Sequence, residues 1–445
     1  MPGNKKVLFI AYLFPPVGGS GVQRSSKFVK YLSDFGWYPL VLTVKEPYDF
    51  YNDESLMNDV KGRCTIYRTL SIEPMKWVRK FLKRKTEKRI NTNGENNLSI
   101  KSLKPGILVK LKSYLLFPDN EILWLPFAVW KGWRIIKKEK PKIIYATASP
   151  YTDHLIALIL SKLCRIPWVA DFRDFWVDRP NFPQNKWRLF IDRKLEKSVI
   201  NNADYIITAT SLITNHFKKL YPESNYVTIT NGFDEEDFSN VSYTNSAEDK
   251  FTITYTGIFN KERNPEIIFH SLNKLINNES GFKDELKIKI IGQLDNPGDF
   301  ENINNFKKYG LDKYSDIISY QPHQTAINEM CKATILLLFI GEQILPETIL
   351  TGKIFEYLRS QRPILAVVPV NGLAAEVIKE TNSGLVVSRD SEEEIVKGIL
   401  KLFDLYKRNE LDNAFKRKNI EHYSRRNLTK DLTDVFERVI NKNKL

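Results

Sequence analysis

Short runs of β-branched and aromatic residues alternate along the chain with longer stretches in which apolar positions recur every three or four residues. That alternation marks βαβ units feeding a parallel sheet. The first series of runs predicts strands at residues 7–12, 39–43, 65–69, 143–146, 168–170 and 205–208. A second series predicts strands at residues 252–256, 286–291, 317–319, 335–340, 363–368 and 385–387. The expected fold class is therefore α/β, with two doubly wound parallel sheets in tandem. Between the series, Asn231-Gly232-Phe233-Asp234 leads into a polar stretch at residues 240–249, rich in Ser, Asn and acidic residues. It reads as a linker and puts the boundary near residue 240. Two such domains leave a cleft between them, and ligands of such sheets sit beyond the carboxyl ends of the strands. Chemistry is therefore sought in the turns that follow strands.

At 445 residues the chain exceeds one ordinary domain and has ample material for two cores. No apolar run reaches the about eighteen residues of a spanning helix, which excludes one. Lys5 and Lys6 before the apolar residues 7–14 resemble the start of a signal peptide, but the run leads into Pro15-Pro16-Val17-Gly18-Gly19 in place of a cleavage site. It reads as a first core strand. Cys64, Cys164 and Cys331 are odd in number and far apart, and the five histidines lack ligand spacing. This favours a reducing cytosol over disulfides or zinc.

The net charge of +14 is concentrated. Residues 74–112 hold Lys76, Arg79, Lys80, Lys83, Arg84, Lys85, Lys88, Arg89, Lys101, Lys104, Lys110 and Lys112 against Glu87 and Glu95. Pooled positive charge attracts polyanions. Met75, Trp77, Val78, Phe81 and Leu82 share the segment, so a short helix there has an apolar side beside a cationic one. That combination points to an anionic membrane surface on the cytoplasmic side rather than to nucleic acid. A solvated insertion is the alternative.

After the first strand, Gly18-Gly19-Ser20-Gly21 leads into a helix, an arrangement that serves either an anion or a tight turn. Arg24 stands where a dinucleotide fingerprint needs its third glycine, which argues against a nicotinamide cofactor. Asp171-Phe172-Arg173-Asp174 puts three charges at the end of a buried strand, where they must pair or face a ligand. Ser149 precedes a helix bearing Asp153 and His154. In the second half, Gly257 opens a turn containing Lys261 and Arg263. Glu347, Thr348, Thr351, Gly352, Lys353 and Glu356 lie between two further strands. A helix beginning at Thr351 would offer free amides and Lys353 to a diphosphate, with Glu356 one turn along the same face and able to accept from a ribose diol.

Taken together these segments resemble the GT-B glycosyltransferases, most closely the retaining, family 4-like sugar transferases of bacterial surface-polysaccharide assembly. The likeness rests on Gly18-Gly19, Pro118-Asp119 with Trp124-Leu125-Pro126, Ala170-Asp171-Phe172-Arg173-Asp174, Asn231-Gly232-Phe233-Asp234, Tyr255-Thr256-Gly257 and Gly352-Lys353-Ile354-Phe355-Glu356-Tyr357-Leu358. It implies an acceptor domain at residues 1–240, a nucleotide-sugar domain at 241–420, and a final helix within 421–445 that returns to the first domain. It implies Arg263 and Lys353 as the cations that stabilise the departing diphosphate, with Asp171, Arg173 and His154 orienting acceptor or sugar hydroxyls and Asp171 alternatively a base. Gly18, Gly19, Gly257, Lys261, Glu347, Thr348, Thr351, Gly352 and Glu356 are expected to bind the donor, and Ser149, His154 and Asp174 the acceptor. The chain departs from the family pattern at Thr348, where a Glu usually contacts the donor sugar, and at Ile258, where an Arg is usual. No metal or organic cofactor is expected, the nucleotide sugar being a substrate. The acceptor is expected to be a glycan or a lipid-linked molecule, reached by a peripheral protein on the inner face of the cell membrane. A nucleotide-sugar epimerase and an inactive scaffold of the same fold are the competing readings.

Overall fold

The computed structural model describes residues 5–45, 53–72, 116–179, 185–239, 241, 250–259, 263–296, 298–319, 321–342 and 345–442. The basic segment 74–112, nearly all of the expected linker and Lys261 fall outside them. The chain forms two units, Met1–Thr230 with Leu428–Leu445, and Asn231–Asn427.

The sheet of the first unit is parallel throughout. Its strands are β1 (Lys5–Ile10), β2 (Trp37–Val44), β3 (Thr65–Thr69), β4 (Ile143–Ala148), β5 (Trp168–Phe172), β6 (Tyr205–Thr208) and β7 (Tyr226–Thr228). Their order is β3-β2-β1-β4-β5-β6-β7. Alternation along β1 sends Leu8 and Ile10 to one face and Val7 and Phe9 to the other. The helices Leu125–Glu139, Thr152–Cys164 and Lys186–Asn202 cover the first face with Ala128, Ile135, Ile156, Leu160 and Val199. On the second face lie the helices Ser20–Leu32 and Arg425–Lys442. The latter contributes Leu428, Leu432, Val435, Phe436 and Val439, and the Phe436 ring lies 5.1 Å from Trp37.

The second unit repeats the plan with β8 (Phe251–Ile258), β9 (Leu286–Gln293), β10 (Ser315–Ile318), β11 (Ile335–Phe339), β12 (Ile364–Val368) and β13 (Gly384–Ser388). Their order is β10-β9-β8-β11-β12-β13, again parallel. Leu337 and Phe339 pack under the helices Glu266–Asn278 and Glu392–Lys407, and Leu336 and Leu338 under His323–Lys332, Gly352–Arg359 and Leu373–Glu380. The run 335–340 is apolar at every position because both faces of a parallel sheet are covered. This confirms the expected α/β class with two Rossmann-like sheets.

The units divide between Thr230 and Asn231, ahead of the boundary near residue 240 that composition suggests. The cause is Phe233, whose amide donates to Tyr423 O at 3.1 Å and whose carbonyl accepts from Arg425 N at 2.7 Å, fixing it in the second unit's core. In each sheet the strand order reverses once, between β1 and β4 and between β8 and β11, so each unit has its own crevice at the carboxyl ends of those strands. Among the described residues, no helix is long and apolar enough to cross a membrane.

Candidate active site

In the second unit, one side chain ties the helix Gly352–Arg359 to the end of β8. Lys353, second residue of the Gly352–Arg359 helix, donates from Nζ to Thr256 O at 2.5 Å. Its ammonium also lies 4.3 Å from the centre of the Tyr255 ring, a cation–π contact. Gly257 is left-handed in φ at 127°, and a Cβ there would fall 2.7 Å from Lys353 Nζ. The glycine thus belongs to the lysine, because only a residue without a side chain lets the ammonium reach the strand end. Gly257→Ala is expected to displace Lys353 and lower turnover of any reaction that uses its ammonium at least about tenfold in a folded protein, since misplacing a charge by about an ångström is enough for such losses. Steady-state kinetics with a circular-dichroism control checks this.

Tyr357, buried on the same helix, anchors it. Its hydroxyl accepts from Thr256 N at 3.1 Å and lies 3.0 Å from Thr256 Oγ1. The amino end of the helix carries no side-chain cap: Thr351 occupies the cap position, and its buried Oγ1 has no hydrogen-bond partner among the described residues. An uncapped first turn with a lysine in it suits an anion. One turn on, Glu356 Oε1 accepts from His323 Nε2 at 2.9 Å, and His323 Nδ1 is 4.0 Å from Asp237 Oδ2. Spaced three apart, Lys353 and Glu356 share a helix face.

Around this centre, the expected donor residues are placed unequally. Arg263 Nη1 stands 3.5 Å from Ile258 O, at the long limit of a hydrogen bond. Thr348 lies in the turn Pro346–Thr348, and its hydroxyl donates to Leu345 O at 2.7 Å. Glu347 beside it is exposed.

The first unit holds a second cluster of charge, and here the expectations need correction. Asp171 is fully buried and accepts four hydrogen bonds: Arg24 Nη2 at 2.8 Å on Oδ1, and Arg24 Nε at 2.9 Å, Tyr145 Oη at 2.6 Å and Thr147 Oγ1 at 2.7 Å on Oδ2. Burial pushes its pKa up, but Arg24 and the other donors outweigh this and hold it below the usual carboxylate value. A carboxylate so enclosed is neither a base nor a ligand contact. Arg173 is likewise engaged, donating to Ala148 O and Ser149 O, each at 2.6 Å, and to Gly21 O. It ties the β4 and β5 exits to the first helix. His154 is also interior: its ring lies 4.4 Å from that of Phe172 and its Nε2 is 3.2 Å from Asp171 O. Burial lowers its pKa to about 4, so it is neutral at physiological pH. On the outside at these strand ends remain Gly19, with φ at 105°, and Asp174, both exposed, with Gly18 and Ser149 half-buried.

Sequence reasoning missed the partners. Arg24, noted only as breaking a cofactor fingerprint, completes Asp171, and His323 completes Glu356. Their separations of 147 and 33 residues leave no local signal for either pairing. The Pro118-Asp119 marker also gains a reason, since Asp119 accepts from Thr152 N at 3.0 Å and Thr152 Oγ1 at 2.6 Å, capping the helix that follows β4.

Residues 87–237 match the model of Glycosyltransferase Family 4, and residues 239–422 that of Glycosyl transferases group 1. No curated protein matches the chain. Among solved structures, Anabaena HepE in complex with UDP superposes with a TM-score of 0.61 at 11% identity, covering 98% of this chain and 100% of that one. A point mutant of S. aureus TarM, in complex with Fondaparinux, alpha-GlcNAc-glycerol and UDP, gives 0.59 at 12% identity over 98% and 100%. A UDP-N-acetylglucosamine 2-epimerase of Listeria monocytogenes, so described provisionally, gives 0.53 at 12% identity over 98% and 97%. These likenesses establish the fold, and the two family models, met in tandem, establish the chemistry. The chain belongs to the family 4-like glycosyltransferases of GT-B fold.

Proposed function

We propose that the protein transfers a sugar from a nucleoside diphosphate sugar to a hydroxyl of a glycan or lipid-linked acceptor, with retention of configuration and without a metal ion. The reading rests above all on Lys353 and Glu356 on one face of an uncapped helix at the β8/β11 crevice. The diphosphate would lie against the first-turn amides, Thr351 Oγ1 and Lys353, with Arg263 as second cation. Glu356, held by His323, would take the ribose hydroxyls. The UDP in the HepE and TarM structures supports a nucleotide-bound donor.

As the bond from C1 to the phosphate oxygen breaks, its electron pair goes to the diphosphate, where charge grows. A fixed ammonium and fixed amides stabilise that state more than the ground state. The acceptor oxygen bonds to C1 on the same face, and its proton passes to the departing phosphate. This route asks for no protein base, in keeping with the burial of Asp171 and His154. Gly18, Gly19, Ser149 and Asp174 would meet donor or acceptor at the surface of the first unit. The basic segment 74–112 would hold the protein on the inner face of the cell membrane.

A thermal-shift screen across uridine, guanosine and cytidine diphosphate sugars tests the donor. One of them is expected to stabilise the protein by about 2.7 kcal/mol at a hundred times its Kd. No shift with any of them would defeat the reading. Interconversion of the free nucleotide sugar without an acceptor would favour the epimerase.

A further inference from the structure

The helices Leu125–Glu139 and Thr152–Cys164 turn Ala128, Ile135, Ile156 and Leu160 inward. Where the two helices meet near the end of the second, their outward side chains include apolar ones beside the polar set such helices usually present. Between them lies a groove of about 420 Å³ whose lining includes Leu125, Val129, Trp130, Trp133, Ile159 and Leu163. Trp130 is 58% exposed, Trp133 43% and Leu163 64%. An apolar patch of this kind marks an interaction site. Beyond the two indole N–H groups its lining side chains carry no polar atom, so sugar hydroxyls find no side-chain donor or acceptor in the rest of it.

The rim of the groove is cationic. Arg134, Lys137 and Lys138 on the first helix are exposed, as are Lys162 and Arg165 at the end of the second. Positions 126, 130, 133 and 137 form one stripe of the helix, so Lys137 continues the line of the tryptophans. The Arg134 guanidinium stacks on Trp130, 4.9 Å from the ring centre. The two helices carry one acidic side chain each, and both are engaged. Glu139 accepts from Lys6 at 2.8 Å and holds its other oxygen 3.8 Å from the exposed Lys138 ammonium, and the buried Asp153 accepts from Tyr12 N at 2.8 Å.

We propose that this face docks on an anionic lipid bilayer, with Trp130 and Trp133 at headgroup depth and Lys137, Lys138 and Lys162 against the lipid phosphates. Indole rings favour that depth, having an apolar body and one polar N–H. Lysines beside them gain from the negative surface potential. Charge selects this occupant over two others. Residues 74–112 carry the same net sign as the rim, which disfavours them as its partner, and a second copy of the face would set cation against cation. The docking does not depend on the donor chemistry proposed above and stands or falls apart from it.

The test is cosedimentation of the full chain with phosphatidylcholine vesicles, with and without one part in three of phosphatidylglycerol. Binding to the anionic vesicles alone is expected. Trp130→Ser with Trp133→Ser, and separately Lys137→Gln with Lys138→Gln, should each weaken it roughly tenfold or more, by removing the interfacial anchors or two cations. The two lysines are exposed, so their variant should melt as the wild type does; the tryptophans are partly packed, so their variant is scored only where circular dichroism shows it folded. Neutralising Lys80, Lys83, Arg84 and Lys85 should leave the tryptophan-dependent part in place, read as quenching by brominated lipid. Three results would overturn the proposal: no binding to anionic vesicles, equal binding to neutral ones, or unchanged binding by the folded tryptophan variant. A dimer that the tryptophan variant makes monomeric, with vesicle binding unaltered, would give the groove to a second copy and overturn it as well.

Discussion

Arg24→Ala is expected to destabilise the first unit by about 3–5 kcal/mol, the usual result of leaving one member of a buried ion pair alone. Arg24 is 1% exposed and Asp171 0%. Losing the guanidinium strands the carboxylate with Tyr145 and Thr147 and also deprives Ile229 O and Thr230 O of their donor. Urea denaturation of wild type and variant at pH 7 measures the difference. Because Asp171 titrates below its unfolded value, the stabilisation is fully present above about pH 4. It is lost as the pH falls through the lower folded value, whereas in the variant burial without Arg24 raises the Asp171 pKa, so the gap between the two proteins should be widest near neutral pH and narrow as the pH falls. Arg24→Met with Asp171→Leu should recover much of the loss, since an apolar pair of similar volume removes both charges together. A gap of under 1 kcal/mol at pH 7 would show that the pair does not hold this crevice together.

Lys353→Met should lower the rate of donor cleavage by about 10²–10³, the range seen when one preorganised stabiliser of a developing anion is removed. Lys353→Arg should fare little better. A planar guanidinium is a poor substitute for the ammonium that fits beside Gly257 and donates to Thr256 O. Glu356→Gln should act differently, raising KM for the donor more than it lowers kcat, because a ribose contact is much the same in ground and transition states. Single-turnover cleavage of the donor found by thermal shift separates these patterns. Near-normal kcat in Lys353→Met would remove the ammonium from the chemistry.

The sheets are legible in the sequence because burial on both faces leaves an apolar signature. The runs at 65–69 and 205–208 coincide with β3 and β6, and 335–340 differs from β11 by one residue. β5 extends beyond its predicted end at residue 170 because Asp171 reads as a turn when its distant partner is unknown. β7 goes unseen: three half-buried residues at the sheet edge carry too little periodicity. The site divides along the same line. Gly257, Lys353 and Glu356 are legible as a motif in order. Residue type alone cannot say that Asp171 and His154 look inward, and their chemistry is accordingly over-read. Direction is a property of packing, settled by Arg24 for one and by Phe172 for the other.

The helix Arg425–Lys442 lies against β1 and β4, whose residues are made hundreds of positions earlier. At roughly 5–20 residues per second, the ribosome needs about 10–40 s to emit the intervening Asn231–Asn427 unit. Through that interval Val7, Phe9, Val41 and Tyr145 await their covering side chains. The second face of the first sheet is therefore covered in full only when Leu428–Val439 has been made, after every residue of the second unit.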